Sequence, residues 1–137
     1  MRWKIITIIL ALCAACAFGV VDHRPTEGKL KSDFLEYNQK YFYGALPTTT
    51  RIYLTEIPGD YMGFMVPAIT SDEHLYKILV DKRYHSTMKD ADITLLHESC
   101  HEYNFIQHID EGGAGHGPAF QACMLRVAIM GGFSDLW

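Results

Sequence analysis

Five consecutive residues, His97-Glu98-Ser99-Cys100-His101, carry the strongest chemical signal in the sequence. On an α-helix, positions i and i+4 share one face about a turn apart, so His97 and His101 can grip a single metal ion. Zinc is the expected ion, because it draws the pKa of a bound water down towards ~7 and polarises a carbonyl. Glu98 can stand beside such a water without binding the metal, accept its proton and hand it to a leaving amine. The chemistry implied is metal-assisted hydrolysis of a peptide bond, with Glu98 as general base. A catalytic site of this type holds its ion with three protein ligands and keeps a fourth position open. Downstream, His108, Asp110, Glu111 and His116 are the residues that could supply the third. His108 follows His101 by seven residues and, on a continued helix, projects about two turns away. Glu111 is a contender. His116 is better placed, since Gly112-Gly113-Ala114-Gly115 lets the chain fold back and Pro118 can open another helix.

The other polar and sulfur-bearing side chains read more plainly. His23, His74 and His85 lack metal-ligand spacing and are expected to face solvent. Tyr103 could donate to a developing oxyanion, although a helix-packing role is the simpler reading. Met62, Met65, Met124 and Met130 are expected to fill the core.

These groups must be positioned by a small number of elements. Leu30, Phe34, Tyr37 and Tyr41 recur at helical steps, with Lys29, Lys31, Asp33, Glu36 and Lys40 mostly on the other side. The spacing predicts a helix over Thr26–Gly44, stopped by Gly44 and Pro47. Arg51–Glu56 alternates and is rich in β-branched and aromatic residues, which predicts a strand before the Pro58-Gly59-Asp60 turn. Tyr61–Ile69 and Leu75–Tyr84 read as two more strands. A helix capped by Asp90 or Asp92 should run to about Ile109 and carry the two histidines. A last helix should start near Pro118 and end at Gly131-Gly132. The order predicts an α+β domain whose small, about three-stranded antiparallel sheet packs on helices.

The chain has 137 residues, is 49% hydrophobic and 20% charged, and carries a net charge of −4. That profile fits one globular domain and excludes a disordered, collagen-like or coiled-coil chain. Arg2 and Lys4 precede the uncharged run Ile5–Val21, the layout of an export signal or membrane anchor. Residues 1–21 are therefore expected to direct export or tethering, with residues 22–137 as the domain. Loss of Arg2 and Lys4 without loss of an acid would take the net charge to −6. A domain this acidic is a poor match for nucleic acid, which needs clustered Lys and Arg. Cys100 and Cys123 remain after cleavage. Whether they pair depends on a Cα separation that sequence does not give, and the expectation is two free, buried thiols.

Two motifs together carry a family resemblance: Thr94-Leu-Leu-His-Glu-Ser-Cys-His101, and Gly115-His-Gly-Pro-Ala-Phe120. They resemble the SprT-like (Spartan-type) zinc metalloprotease domain, in which an HExxH helix is followed after a loop by a third histidine in an HGxxF-type motif. Tyr41-Phe-Tyr-Gly-Ala-Leu-Pro47, Tyr61-Met-Gly-Phe64 and Lys77-Ile-Leu-Val80 are similar to the family's first loop and central strands. The likeness spans about residues 30–133. It implies a zincin-like fold with Zn2+ held by His97, His101 and His116, and Glu98 as general base. It implies cleavage of polypeptides, and Spartan-type members act on proteins crosslinked to DNA. Here the chain shows no CxxC zinc ribbon and no basic tail, so the expected partner is an unfolded or extended polypeptide and not nucleic acid. The expected enzyme is an exported or membrane-tethered monomer. A catalytically inactive zinc-binding adaptor of the same fold is the alternative, and the intact Glu98 speaks against it.

Overall fold

In the computed structural model, residues 23–67 and 75–134 are described. The elements run α1 (Glu27–Tyr41), β1 (Arg51–Thr55), β2 (Gly63–Val66), β3 (Lys77–Asp81), α2 (Met88–Ile106), a 3-10 turn (Gly113–Gly115) and α3 (Pro118–Ile129). This is the expected element order, with α1, β1 and β3 shorter than expected and α2 beginning and ending a few residues earlier. The expected export or anchor segment at 1–21, the end of the second expected strand at residues 68–69, and His74 lie outside the described residues. Among the described residues, no helix is long and apolar enough to cross a membrane.

Helix α1 begins where the Thr26 side chain accepts from the Lys29 N–H. It buries Leu30, Phe34 and Tyr41 against the core. Its last turn closes when the Gly44 N–H reaches the Asn38 carbonyl, with Gly44 at a φ of +74°. Asn38 then fixes the following loop, its amide donating to the Leu46 carbonyl at 2.8 Å and accepting the Leu46 N–H at 3.0 Å. One charged residue of this helix departs from expectation. Asp33 is buried, paired with Lys29 and facing Asp92 across the interface with α2. Burial, and the neighbouring Asp33, push the Asp92 carboxyl upward.

The sheet order is β1-β3-β2, with β1 parallel to β3 and β2 antiparallel to it. The expectation of an antiparallel sheet is therefore corrected to a mixed one. The cause is the composition of β3. Ile78 and Val80 are fully buried, and so apolar a run belongs in the middle of a sheet with a neighbour on each side. Strand β2 takes one side. To reach it from β1, residues 56–62 must cross over the C-terminal end of β3.

Asp81 and Arg83 secure that crossing. The buried Asp81 carboxylate accepts the Ile57 N–H at 2.7 Å and a forked pair of bonds from the Arg83 guanidinium. Arg83 also donates to the Ile57 and Gly59 carbonyls, at 2.5 and 3.0 Å. The Arg83 guanidinium, aided by the Ile57 and Arg83 backbone N–H groups, holds the Asp81 carboxyl well below the usual carboxylate range. A depressed folded-state pKa stabilises the fold above the unfolded value of about 4, and that contribution fades as pH falls below it. Asp81→Asn should therefore lower the thermal midpoint at pH 7. The gap to wild type should narrow below about pH 4, as read from melting curves across pH.

Helix α2 starts at Thr87, whose hydroxyl accepts the Asp90 N–H and donates to the Asp90 carboxylate. Thr87 is thus the cap, and Asp90 its reciprocal partner three residues on, which corrects the expected Asp cap. His85, expected at the surface, is buried in the turn before this helix. Its Nδ1–H donates to the Asp81 carbonyl at 2.6 Å, and its Nε2 pairs with the Thr94 hydroxyl at 2.7 Å. The imidazole fills the gap between the end of β3 and α2, so it serves the fold.

Helices α2 and α3 pack side by side and bring Cys100 and Cys123 to a Cα separation of 5.8 Å, where they form a disulfide. The two thiols are bonded and not free as expected, because helix packing supplies the separation that the sequence left open. The bridge closes a loop across 23 positions. In the chain-entropy account such a loop contributes about 3 kcal/mol.

Candidate metal centre and cleft

Helix α2 presents His97 and His101 on one face, as their spacing requires, and the chain after the 3-10 turn returns His116 to meet them. His97 Nε2 lies 3.1 Å from His116 Nε2 and 3.2 Å from His101 Nε2. A ligating nitrogen from each ring lies within 4.8 Å of the other two. Tetrahedral zinc with bonds of about 2.0–2.1 Å sets neighbouring ligand nitrogens about 3.3–3.4 Å apart, so the donor set and spacing fit that ion. Burial, reinforced by the other two histidines, lowers the His97 pKa to about 4 and favours the neutral imidazole that can bind a metal.

The rings rest on Phe120, the aromatic residue of the second motif. Its centroid is 4.4 Å from that of His101, nearly parallel, and 4.7 and 4.8 Å from those of His97 and His116. Phe120 is buried, so it forms a rigid floor that limits how the three rings can turn. The His101 Nδ1–H donates to Glu111 Oε2 at 2.7 Å, and Asn104 Nδ2 donates to Glu111 Oε1 at 2.9 Å. Glu111 is thus engaged with the ring nitrogen opposite the one facing the other histidines. His108 is exposed, sits at a φ of +54° beyond the end of α2 and, among the described residues, joins no metal-ligand cluster. Asp110 is exposed and bonds the Gly112 N–H.

Glu98 is buried and lines the same cleft as the three rings, and its carboxylate accepts from the Met65 backbone N–H of β2. Burial raises its pKa to about 7, against the pull of that N–H. The contact depends on a close approach of β2 to α2. A Cβ on Gly63 would come within 2.4 Å of Thr94 Cγ2 and 2.8 Å of Glu98 Oε1. Gly63→Ala should push β2 off the helix and cost about 1–3 kcal/mol of stability, measured by denaturant unfolding. Activity should fall with it, because Glu98 loses its backbone anchor. A second close approach sits behind His116. A Cβ on Gly117 would lie 2.0 Å from the Glu111 carbonyl oxygen, so only glycine lets this loop close.

The histidines and Glu98 open into a cleft of about 920 Å³ between β2 and α2. Tyr61, Met62, Phe64, Phe105 and Ile109 line it and are all exposed. Met62 is therefore a cleft residue and not the expected core filler, while Met65, Met124 and Met130 do pack against the core. Tyr103 also packs, against Phe42 and under the Arg126 guanidinium, and lies away from the cleft lining. Sequence reasoning missed Asn104, Gly63 and the pairing of Glu111 with the His101 ring. Asn104 stands one turn beyond His101, a spacing that marks it as a neighbour of that ring.

A helix that offers two imidazoles and a carboxylate, closed by a third imidazole from the following loop, defines an α+β domain with a three-histidine centre. The SprT-like family model matches residues 30–135, and the chain belongs to the SprT-like family. Among its curated relatives are the proteins named DNA-dependent metalloprotease SPRTN of Rattus norvegicus and of Mus musculus. Each is 30% identical over 118 residues, a match covering 81% of this chain. The match covers 22% of the length of either relative.

Proposed function

We propose that the chain is a zinc-dependent metallopeptidase that hydrolyses peptide bonds in unfolded or extended polypeptides. The observation that carries this reading is the convergence of three imidazole nitrogens beside a buried, anchored carboxylate in one open cleft. Membership of the SprT-like family and the metalloprotease name of the relatives support it.

His97, His101 and His116 would hold zinc. Bound there, zinc would supply Lewis acidity, activating a water and polarising the scissile carbonyl. Glu98 accepts the proton of the attacking water and returns it to the departing amine. Burial in the cleft wall and the Met65 N–H hold the carboxylate in place for both transfers. Among the described residues strand β2 pairs with β3 alone, and residues 61–65 line the cleft. An extended substrate can add to that edge through its own backbone, the usual way a strand edge reads a peptide. Exposed aromatic and aliphatic side chains beside it favour substrates that display apolar residues, as unfolded chains do.

The protein should cleave a chemically denatured polypeptide faster than its folded form. A chelator should stop the reaction and added zinc restore it. Cleavage that survives exhaustive chelation would reject the metal-dependent reading. The relatives are named DNA-dependent, whereas this chain carries a net charge of −4, a poor match for phosphate. The reading is that polypeptide alone is the partner, so added DNA should leave the rate unchanged. Export or tethering through residues 1–21 belongs to the same proposal, tested by cell fractionation and N-terminal sequencing of the full chain.

A further inference from the structure

We infer that Glu111 is a positioning residue that sets the affinity of the three-histidine centre, by fixing the His101 ring and tying it to the loop that delivers His116. The inference rests on the zinc reading above and adds to it a residue outside the ligand set. A carboxylate can only accept, so its 2.7 Å contact places a proton on His101 Nδ1. The lone pair of His101 is then left on Nε2, the nitrogen that faces His97 Nε2 at 3.2 Å. The second Glu111 oxygen takes the amide of Asn104, which is buried one turn along the same helix. With both oxygens held by α2, Glu111 cannot swing into the centre as a ligand.

The same residue governs the returning loop. Gly112, Gly113, Ala114 and Gly115 all have positive φ. The backbone bonds within this turn are Gly115 N–H to the Gly112 carbonyl at 2.7 Å and His116 N–H to the Gly113 carbonyl at 3.3 Å. So glycine-rich a turn has little stiffness of its own. Its origin is pinned where Glu111 bonds to α2, and at its far end Gly117 passes so close to the Glu111 carbonyl that a Cβ there would lie 2.0 Å from it. His116 lies between those two points. Partners of this kind, on the far nitrogen of a ligating histidine, typically change metal affinity 10–100-fold.

The test compares the wild-type chain with Glu111→Ala and Glu111→Gln. Zinc affinity is measured by competition with a chromophoric chelator, and the His101 tautomer in the metal-free protein by nitrogen-15 NMR. Glu111→Ala is expected to bind zinc about 10–100-fold more weakly and to lose the preference for the Nδ1–H tautomer; its metal-free form should also melt lower than wild type, because the buried Asn104 amide loses its acceptor. Glu111→Gln keeps the length but has one acceptor oxygen, and should fall between the two. If wild type and Glu111→Ala bind zinc equally tightly, or share one tautomer population, this inference is overturned and the zinc reading stands. If wild type itself takes up no zinc, both fall.

Discussion

Glu98→Gln should retain zinc and lose hydrolysis by about 10²–10⁴-fold, the usual contribution of a positioned general base. The amide has nearly the shape of the carboxylate, so the packing of residue 98 beneath Gly63 and Thr94 should survive. Its oxygen can still accept the Met65 N–H. What it cannot do is take a proton from water. The side chain stands outside the converging nitrogens, so the metal content should not move. The loss should fall on kcat more than on KM, because the proton transfer belongs to the transition state and not to substrate binding. Steady-state kinetics on an unfolded polypeptide, with elemental analysis of the same sample, separates these effects. Unchanged activity in this variant would remove Glu98 from the role assigned to it.

His116→Ala should abolish activity through a different route. Two imidazoles from one helical turn remain, and the metal loses the ligand that closes its third side. Zinc affinity should fall by more than the 10–100-fold expected when an outer partner is removed. The ring is exposed, and Glu111 keeps its bonds to α2 in this variant. The metal-free protein should therefore keep its stability to within about 0.5 kcal/mol, as surface substitutions usually do. Chelator competition and thermal melting of the metal-free forms give the two readouts. A variant that held zinc as tightly as wild type would mean that another donor completes the centre.

The parts of this site that follow from local spacing were legible in the sequence. His97 and His101 share a face because four residues make about one helical turn, and His116 returns because the glycine turn permits it. The helix and strand positions followed from periodicity, with ends displaced where caps decided them, as at Thr87 and Gly44. What the sequence withheld depends on contacts between distant segments. The place of β3 between its two neighbours, the crossing held by Asp81 and Arg83, and the Cys100–Cys123 bridge all arise from packing. His85 looked like a surface residue because nothing in its neighbours along the chain foretold that Thr94 and the Asp81 carbonyl would enclose it. Glu111 was visible as a carboxylate near the histidines, but whether it would bind a metal or a ring N–H is a matter of tertiary geometry.

The most direct test is a crystal of the full chain grown with zinc, with anomalous data collected on either side of the zinc edge. The expected result is one strong anomalous peak about 2.0–2.1 Å from Nε2 of His97, His101 and His116, with the Glu98 carboxylate beside it and uncoordinated. A peak elsewhere, or none while the three rings keep their places, would contradict the reading of this centre.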